Sequence, residues 1–330
     1  ATHLSVFDSF EAYEVRQCCT SSEAQIMIMG MVHDHHLEWC VEKDVEFYIF
    51  EIKRLRLAIE AAQKVGKRAR VHLELETGMN RTGFPKSKWP AVARLIKDHR
   101  DLLDIRGFCT HFAGAENIAN HIRVRRQIKR FRIGIERFIS NGIKASKHHT
   151  ACSAAFMRFP QAHMDMVRIG IMQYGLWPSM ETYIATEGAT ENPTDPLRRV
   201  MSWKSEVMSV KKVYKGEYVG YGTSFLATKD MTVATVPVGY SHGFSRSLSN
   251  AGRALIRGIR VPVIGTVNMN MMMLDVCNLP QVETGDEVVL IGKQGDQTID
   301  VASFGDYSNQ LNYELLSRLP KDIPRYVVNA

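Results

Sequence analysis

Seven short apolar runs alternate with helix-period segments through the first half of this 330-residue chain. No other feature restricts the fold as strongly. The runs are Leu4–Phe7, Ile26–Met29, Val45–Phe50, Val71–Leu75, Ile105–Cys109, His148–Ala151 and Met166–Ile169. Between them, Lys53–Lys64, Trp89–Lys97 and Asn120–Ile139 repeat apolar residues at the helical period. Strand, crossover helix, strand is the pattern of a parallel sheet covered by helices. Seven such strands are one short of a (β/α)8 barrel, so the expected fold is a TIM-like α/β barrel with one strand missing from this sequence.

The texture changes after about Leu197. Val200–Val213, Met231–Gly239, Ala254–Val267 and Glu287–Ile291 are β-branched-rich and broken by glycine turns, which predicts a mostly antiparallel β domain with one late helix. Thr190–Pro196 carries two prolines and reads as the linker. The predicted division is a barrel over 1–190 and a β domain over 197–330.

Composition narrows the class. Hydrophobic residues make up 45% and charged residues 23%, which excludes a disordered, collagenous or coiled-coil chain. The longest apolar stretches, such as Ile26–Val32, fall far short of the ~18–20 residues of a membrane helix, so no membrane association is expected. A net charge of +7 favours anionic ligands. The six cysteines show no CxxC pattern, and Cys18 and Cys19 are neighbours, so reduced thiols and a cytoplasmic location are expected.

In a barrel, chemistry collects at the C-terminal ends of the strands. Glu76–Phe84 follows the Val71–Leu75 strand; its glycines allow a tight loop, and Arg81 offers a planar donor fork to a carboxylate or phosphate. His111 follows Ile105–Cys109 and can stack on a ligand ring or titrate near neutrality. Ser153 follows His148–Ala151 and opens a helix. Gly170 and Ile171 follow the last strand, where barrels often bind phosphate. Each segment alone also fits a plain turn or a packed histidine, but four polar loops at matching ends point to a phosphorylated ligand.

These residues resemble the alanine racemases, the fold-type III enzymes that use pyridoxal 5'-phosphate (PLP). The resemblance runs from Val71–Phe84 through Thr110–Ala113, His149–Ala155, Val167–Ile171 and Tyr174–Leu176. It continues in the β domain with Gly220–Thr223, Val238–Gly243, Gly265–Asn270, Leu311–Glu314 and Ile323–Arg325. It implies interconversion of L- and D-alanine by two-base proton exchange at Cα, for D-alanine and cell-wall biosynthesis, in a homodimer with shared active sites. Tyr221 would be one base, supplied across the dimer interface. Arg168 would bond the pyridine nitrogen and keep it unprotonated, because arginine does not give up its proton. Ser153, Gly170, Ile171 and Tyr313 would bind phosphate, and His111 would pack near the ring. Arg81 would hold the phenol or the substrate carboxylate, while Tyr240, Met269 and Asn270 line the substrate entrance.

Departures from the family pattern bear on specificity and completeness. Glu74 stands where many members carry a carbamylated lysine, and it could pair with Arg81 as a permanent carboxylate. Cys152, His242 and Asn270 replace an asparagine and two aspartates. The cofactor-anchoring lysine of the family lies on its first strand, and no such segment occurs here; Ala1–Phe7 resembles the second strand. The expectation is an N-terminally incomplete sequence of a complete enzyme. A non-catalytic PLP-binding homologue and a serine or broad-specificity racemase are the alternatives.

Two further motifs are read as structural. His33–His36 lacks a fourth ligand, so a solvated or capping turn is expected and no metal. The basic stretch Arg123–Arg132 lies on a helix whose apolar stripe is Ile122, Ile128, Phe131, Ile135 and Phe138. It is expected to be a solvated outer face, with no nucleic-acid partner.

Overall fold

The structure, a computed structural model, describes residues 2–19, 24–186, 195–301 and 312–328. They form two compact units, one of residues 1–172 and 177–195 and one of residues 173–176 and 196–330. The predicted linker 190–196 lies almost wholly outside the described residues.

The first unit is a parallel sheet of seven strands in sequential order: β1 (His3–Val6), β2 (Gln25–Ile28), β3 (Glu46–Ile49), β4 (Ala69–Glu74), β5 (Leu103–Cys109), β6 (Lys147–Cys152) and β7 (Met166–Arg168). Each lies within two residues of its expected position. Buried on both faces, such strands read as continuous apolar runs. Helices α1 (Ser9–Cys18), α2 (Leu37–Glu42), α3 (Ile52–Val65), α4 (Trp89–Asp98) and α5 (His121–Ser140) connect successive strands, and α6 (Ser153–Arg158) and α7 (Met180–Thr186) follow. Leu55, Ala58, Ile59 and Ala62 on α3 and Val92, Ala93 and Ile96 on α4 pack on the outward side chains of Val71, Leu73 and Phe108. The sheet curls into a barrel. His3 on β1 accepts from the Lys147 ammonium on β6 at 2.6 Å, and Arg106 on β5 reaches Gln25 on β2 at 3.4 Å and Glu46 on β3 at 2.9 Å.

Along α5 the buried stripe is Val124, Gln127, Ile128, Phe131, Gly134 and Phe138. Ile122, expected in it, is 65% exposed, and Gln127 takes a place inside the stripe. The α5 arginines are not all solvated either: Arg123 donates to the Gly78 carbonyl at 3.0 Å and Arg130 to the Thr77 carbonyl at 3.0 Å. His33–His36 forms a short 3₁₀ turn whose His36 ring bonds the Ser9 hydroxyl at 2.7 Å.

The second unit is an antiparallel sheet in the order β15-β14-β11-β12-β13-β10-β9, with β8 (Trp203–Glu206) paired to β14. The strands are β9 (Ser209–Val213), β10 (Met231–Val236), β11 (Arg253–Ile256), β12 (Ile259–Ile264), β13 (Met272–Asp275), β14 (Glu287–Gln294) and β15 (Gln297–Ile299). The helix α8 (Asn312–Arg318) follows. Among the described residues no helix is long and apolar enough to cross a membrane.

Candidate active site

The loop after β4 is built as a closed turn. Phe84 donates to the Glu74 carbonyl at 2.8 Å and Glu76 to the Phe84 carbonyl at 3.1 Å, while the Glu76 carboxylate accepts from the Gly78 and Asn80 amides. Gly83 has φ +107°, and a Cβ there would lie 2.7 Å from the Glu76 nitrogen, so only glycine closes this turn. The result displays Arg81 to solvent and leaves Glu74 buried at the strand end. Burial pushes the Glu74 carboxyl up, while a hydrogen bond from Thr82 and the charges of Arg81 and Arg168 pull it back. The expected Arg81–Glu74 ion pair does not form within 4.0 Å among the described residues; the two interact only through the field.

Gln127, wholly buried on α5, ties this loop to the next one. Its amide nitrogen bonds the Thr77 hydroxyl at 3.2 Å and the His111 carbonyl at 3.0 Å, and its oxygen accepts from the Ala113 amide at 2.9 Å. Thr110 completes the tie, at 2.8 Å from the Thr77 hydroxyl and 2.8 Å from the Leu75 carbonyl. His111 is therefore held at the barrel mouth. Burial, then the positive charges of Arg168 and Arg81, lowers its pKa to about 4, so the ring is neutral at pH 7.

Arg168 closes β7 and is anchored on one side. Its NH1 donates to His149 Nδ1 at 2.7 Å, and its NH2 donates to the carbonyls of Thr110 and Thr150 at 2.9 and 3.0 Å. Guanidinium carries five N–H donors, so Nε–H and a second NH1 hydrogen remain for a ligand. Two residues on, the Gly170 amide donates to the Ser153 hydroxyl oxygen at 3.0 Å, so Ser153 accepts there and its own O–H is not used in that bond. A Cβ at Gly170 would meet nothing within 4 Å, so the backbone here borders open space. The buried Tyr48 hydroxyl lacks a well-formed hydrogen bond, and the Cys109 thiol beside it is pushed well up by burial. A ligand with acceptors for the Ser153 hydroxyl and for the remaining Arg168 hydrogens fits this donor set.

In the second unit the aromatic candidates stand out from loops. Tyr221 is 76% exposed, between Gly220 and Gly222, both at positive φ. Asn250 steadies this turn by bonding the Ser224 carbonyl at 3.0 Å and the Gly265 amide at 2.7 Å. The Tyr240 turn is locked to the Met269 loop: Tyr240 donates to the Asn268 carbonyl and Ser241 to the Met269 carbonyl, both at 3.0 Å. The Ser241 hydroxyl also sits 2.6 Å from Asn270 Oδ1. Tyr313 lies on α8, half exposed. The structure thus brings Glu74, His111, Ser153, Arg168, Gly170 and Ile171 to one end of the barrel, and Tyr240, Met269 and Asn270 to adjoining loops of the β unit.

Sequence reasoning missed Gln127 and a buried polar set, Glu46, His72 and His149, which leads to Arg168. Each is a polar residue inside an apolar strand run or helix stripe, and that irregularity is the signal that could have found them.

A parallel barrel with Ser153, Arg168 and Gly170 at the ends of its last strands, followed by an antiparallel β unit, defines a two-part barrel enzyme of the fold-type III class. Comparison with known proteins places it further. The alanine racemase N-terminal domain model matches residues 1–178 and the C-terminal domain model matches residues 200–327. An alanine racemase of Leptospira interrogans is 35% identical over 313 residues, covering 93% of this chain and 78% of the relative. One of Methanococcus maripaludis is 33% identical over 327 residues, covering 98% and 84%. The solved alanine racemase of Streptomyces coelicolor A3(2) superposes with a TM-score of 0.92 at 28% identity, over 100% of this chain and 85% of that one. The chain belongs to the alanine racemase family and is an enzyme of the isomerase class.

Proposed function

We propose that the protein interconverts L- and D-alanine with PLP, acting as a homodimer. One observation carries this reading: three bonds, to His149 and to the Thr110 and Thr150 carbonyls, hold Arg168 and leave its Nε–H and one NH1 hydrogen for a ligand, two residues before Gly170, where the backbone borders open space. Bound PLP makes the Cα–H of an attached amino acid acidic. The residues of this chain then have distinct tasks. Arg168 donates to the ring nitrogen and, as a guanidinium, leaves it without a proton. The Ser153 hydroxyl, the Ile171 amide and Tyr313 hold the phosphate, and Gly170, whose amide bonds Ser153 Oγ, borders it and steadies that hydroxyl. His111, neutral, lies against the ring without adding charge. Arg81 orients the substrate carboxylate or the catalytic phenol, and the Glu74 carboxylate tempers the cationic field around it.

Tyr221 exchanges the Cα proton on one face, and the family's lysine serves the other. The exposure of Tyr221, Tyr240 and Met269 on one β unit supports their burial against a partner subunit, since apolar groups gathered on a surface mark interaction sites. Tyr240, Met269 and Asn270 then line the substrate entrance.

The test is chiral analysis of alanine incubated with the PLP-loaded protein. Racemisation is expected, and Tyr221→Phe should suppress it in one direction far more than it weakens PLP binding. Equal loss of cofactor would remove the role given to Tyr221. Borohydride reduction and peptide mapping should locate PLP on a lysine. PLP retention with no lysine adduct and no racemisation would favour a non-catalytic cofactor-binding protein.

A further inference from the structure

Barrel interiors are ordinarily packed with branched apolar side chains, yet a file of polar groups crosses this one. The Arg106 Nε donates to Glu46 Oε1 at 2.9 Å, and Glu46 Oε2 lies 2.7 Å from His72 Nε2. His72 Nδ1 lies 2.8 Å from His149 Nε2, and His149 Nδ1 accepts from Arg168 at 2.7 Å. Glu46, His72 and His149 are each wholly buried. The file takes one side chain from each of β3, β4, β5, β6 and β7. The intervening strand β5 makes room with Gly107, where a Cβ would lie 2.2 Å from His72 Nδ1 and 3.0 Å from His149 Nε2.

Donor accounting fixes every proton in this file. Guanidinium can only donate, so His149 Nδ1 is bare and its single proton sits on Nε2. That proton points at His72 Nδ1, which must therefore accept, leaving the His72 proton on Nε2 and aimed at the Glu46 carboxylate. The reverse assignment would need an imidazole with no proton at all. Burial lowers the pKa of both histidines, consistent with two neutral rings. Glu46 stays ionised because the hydrogen bonds from His72 and Arg106, with the Arg106 charge, outweigh the penalty of burying it. From Arg168 through His149 and His72 the donations run one way to the Glu46 anion, which Arg106 meets from the other end.

We propose that Glu46 and His72, both remote from the ligand, are positioning residues. They lock the tautomer and plane of His149 and through it the orientation of Arg168 toward the cofactor's ring nitrogen. The assignment rests on the PLP reading above for its catalytic consequence, but not for its geometry. With His149 held as an acceptor, the guanidinium cannot rotate without leaving a buried imidazole nitrogen unpaired. With PLP bound, a fixed Arg168 would keep the ring nitrogen bare, and a cofactor so held would favour return of the proton to Cα over transfer of the amino group with release of pyruvate.

The first experiment needs no cofactor. Histidine-selective ¹⁵N NMR of the protein at pH 7 should show His72 and His149 both protonated on Nε2 and bare on Nδ1. A Nδ1 proton on either ring overturns the proposal. The second uses the PLP-loaded protein carrying His72→Leu or Glu46→Gln, the latter being isosteric in case the former does not fold. The expected result is a fall in kcat of about tenfold, the scale on which partners behind a ligating group act. KM should stay nearly unchanged, and pyruvate formed per racemisation event should rise. Unchanged partition in a folded variant overturns the positioning role. Failure of the unsubstituted protein to bind PLP would instead strike the functional reading, and it would be seen before any variant is made.

Discussion

Gln127 Nε2 lies 3.0 Å from the His111 carbonyl oxygen, and through this one buried amide a helix on the outside of the barrel holds the loops after β4 and β5 together. The amide makes three bonds, to Thr77, His111 and Ala113, and none of these partners faces water at that point. Replacing it strands the Ala113 N–H and the His111 C=O, and each buried group left unpaired costs about 1–3 kcal/mol. Gln127→Leu should therefore lower the urea midpoint by an amount equivalent to about 2–4 kcal/mol. It should also raise KM for alanine, because His111 and the Thr77 loop lose their common anchor. Gln127→Glu retains an acceptor for Ala113 and should lose less stability than Gln127→Leu; a larger loss would argue against this account.

Gly107 makes a second prediction from steric grounds alone. Its Cβ position is filled by the His72 ring, so Gly107→Ala must push the two imidazoles apart or bend β5. Overpacking a rigid core typically costs about 1–3 kcal/mol, and here a buried hydrogen bond is lost as well. Chemical denaturation should show a loss at the upper end of that range, and the His72–His149 proton resonance should disappear from the NMR spectrum. A tolerated alanine with the imidazole bond intact would contradict the packing described.

Protonation gives a third. His72, His149 and His111 have pKa values below the ordinary 6.5, each chiefly through burial, with His111 at about 4. The unfolded chain therefore binds more protons than the folded one as pH falls below about 6.5. Stability rises with pH wherever the unfolded state holds more protons. It should be fully present above 6.5 and decline from there toward pH 4, with each histidine adding up to about 1.4 kcal/mol per pH unit. Urea midpoints measured from pH 8 to pH 4.5 should fall, and the fall should be shallower in a folded His111→Gln variant. A flat profile would mean that these rings are solvated.

The barrel was legible in the sequence because its strands are buried on both faces and its helices on one. Continuous apolar runs and a 3.6-residue period are local signals, and Val71–Leu75 or Trp89–Lys97 need no partner to be recognised. The β unit was less so. The run Ala254–Val267 contains the β11–β12 hairpin, but the pairing of β8 with β14, across some 80 residues, is set by packing that no local pattern records. The site divides the same way. Arg168, inside its strand, comes only with the family resemblance, while Ser153 and His111 follow from the rule that loops after parallel strands carry function. His72 and Glu46 do not, because 26 residues separate them and their meaning exists only once the barrel brings them within 2.7 Å. Ile122 misled for the opposite reason. It fits the helical period one turn before the stripe begins, where α5 has already left the core.

Arg168 itself supports the sharpest substitution. Its guanidinium serves His149 Nδ1 and the Thr110 and Thr150 carbonyls at once, an arrangement that requires a planar fork. Lysine keeps the charge but carries a compact ammonium on a different reach, so it cannot satisfy all three acceptors and still offer a hydrogen to a ligand. Arg168→Lys should fold, since one or two of the three acceptors remain reachable, with a stability loss of about 1–3 kcal/mol. It should retain PLP through the Ser153–Gly170 cup while racemising slowly. An ammonium can also release its proton where a guanidinium does not, so the cofactor's ring nitrogen becomes open to protonation. Pyruvate release should therefore rise against racemisation in this variant, as in His72→Leu, and combining the two substitutions should add little to either alone. Additive effects would show that His72 acts on stability by itself and does not work through Arg168.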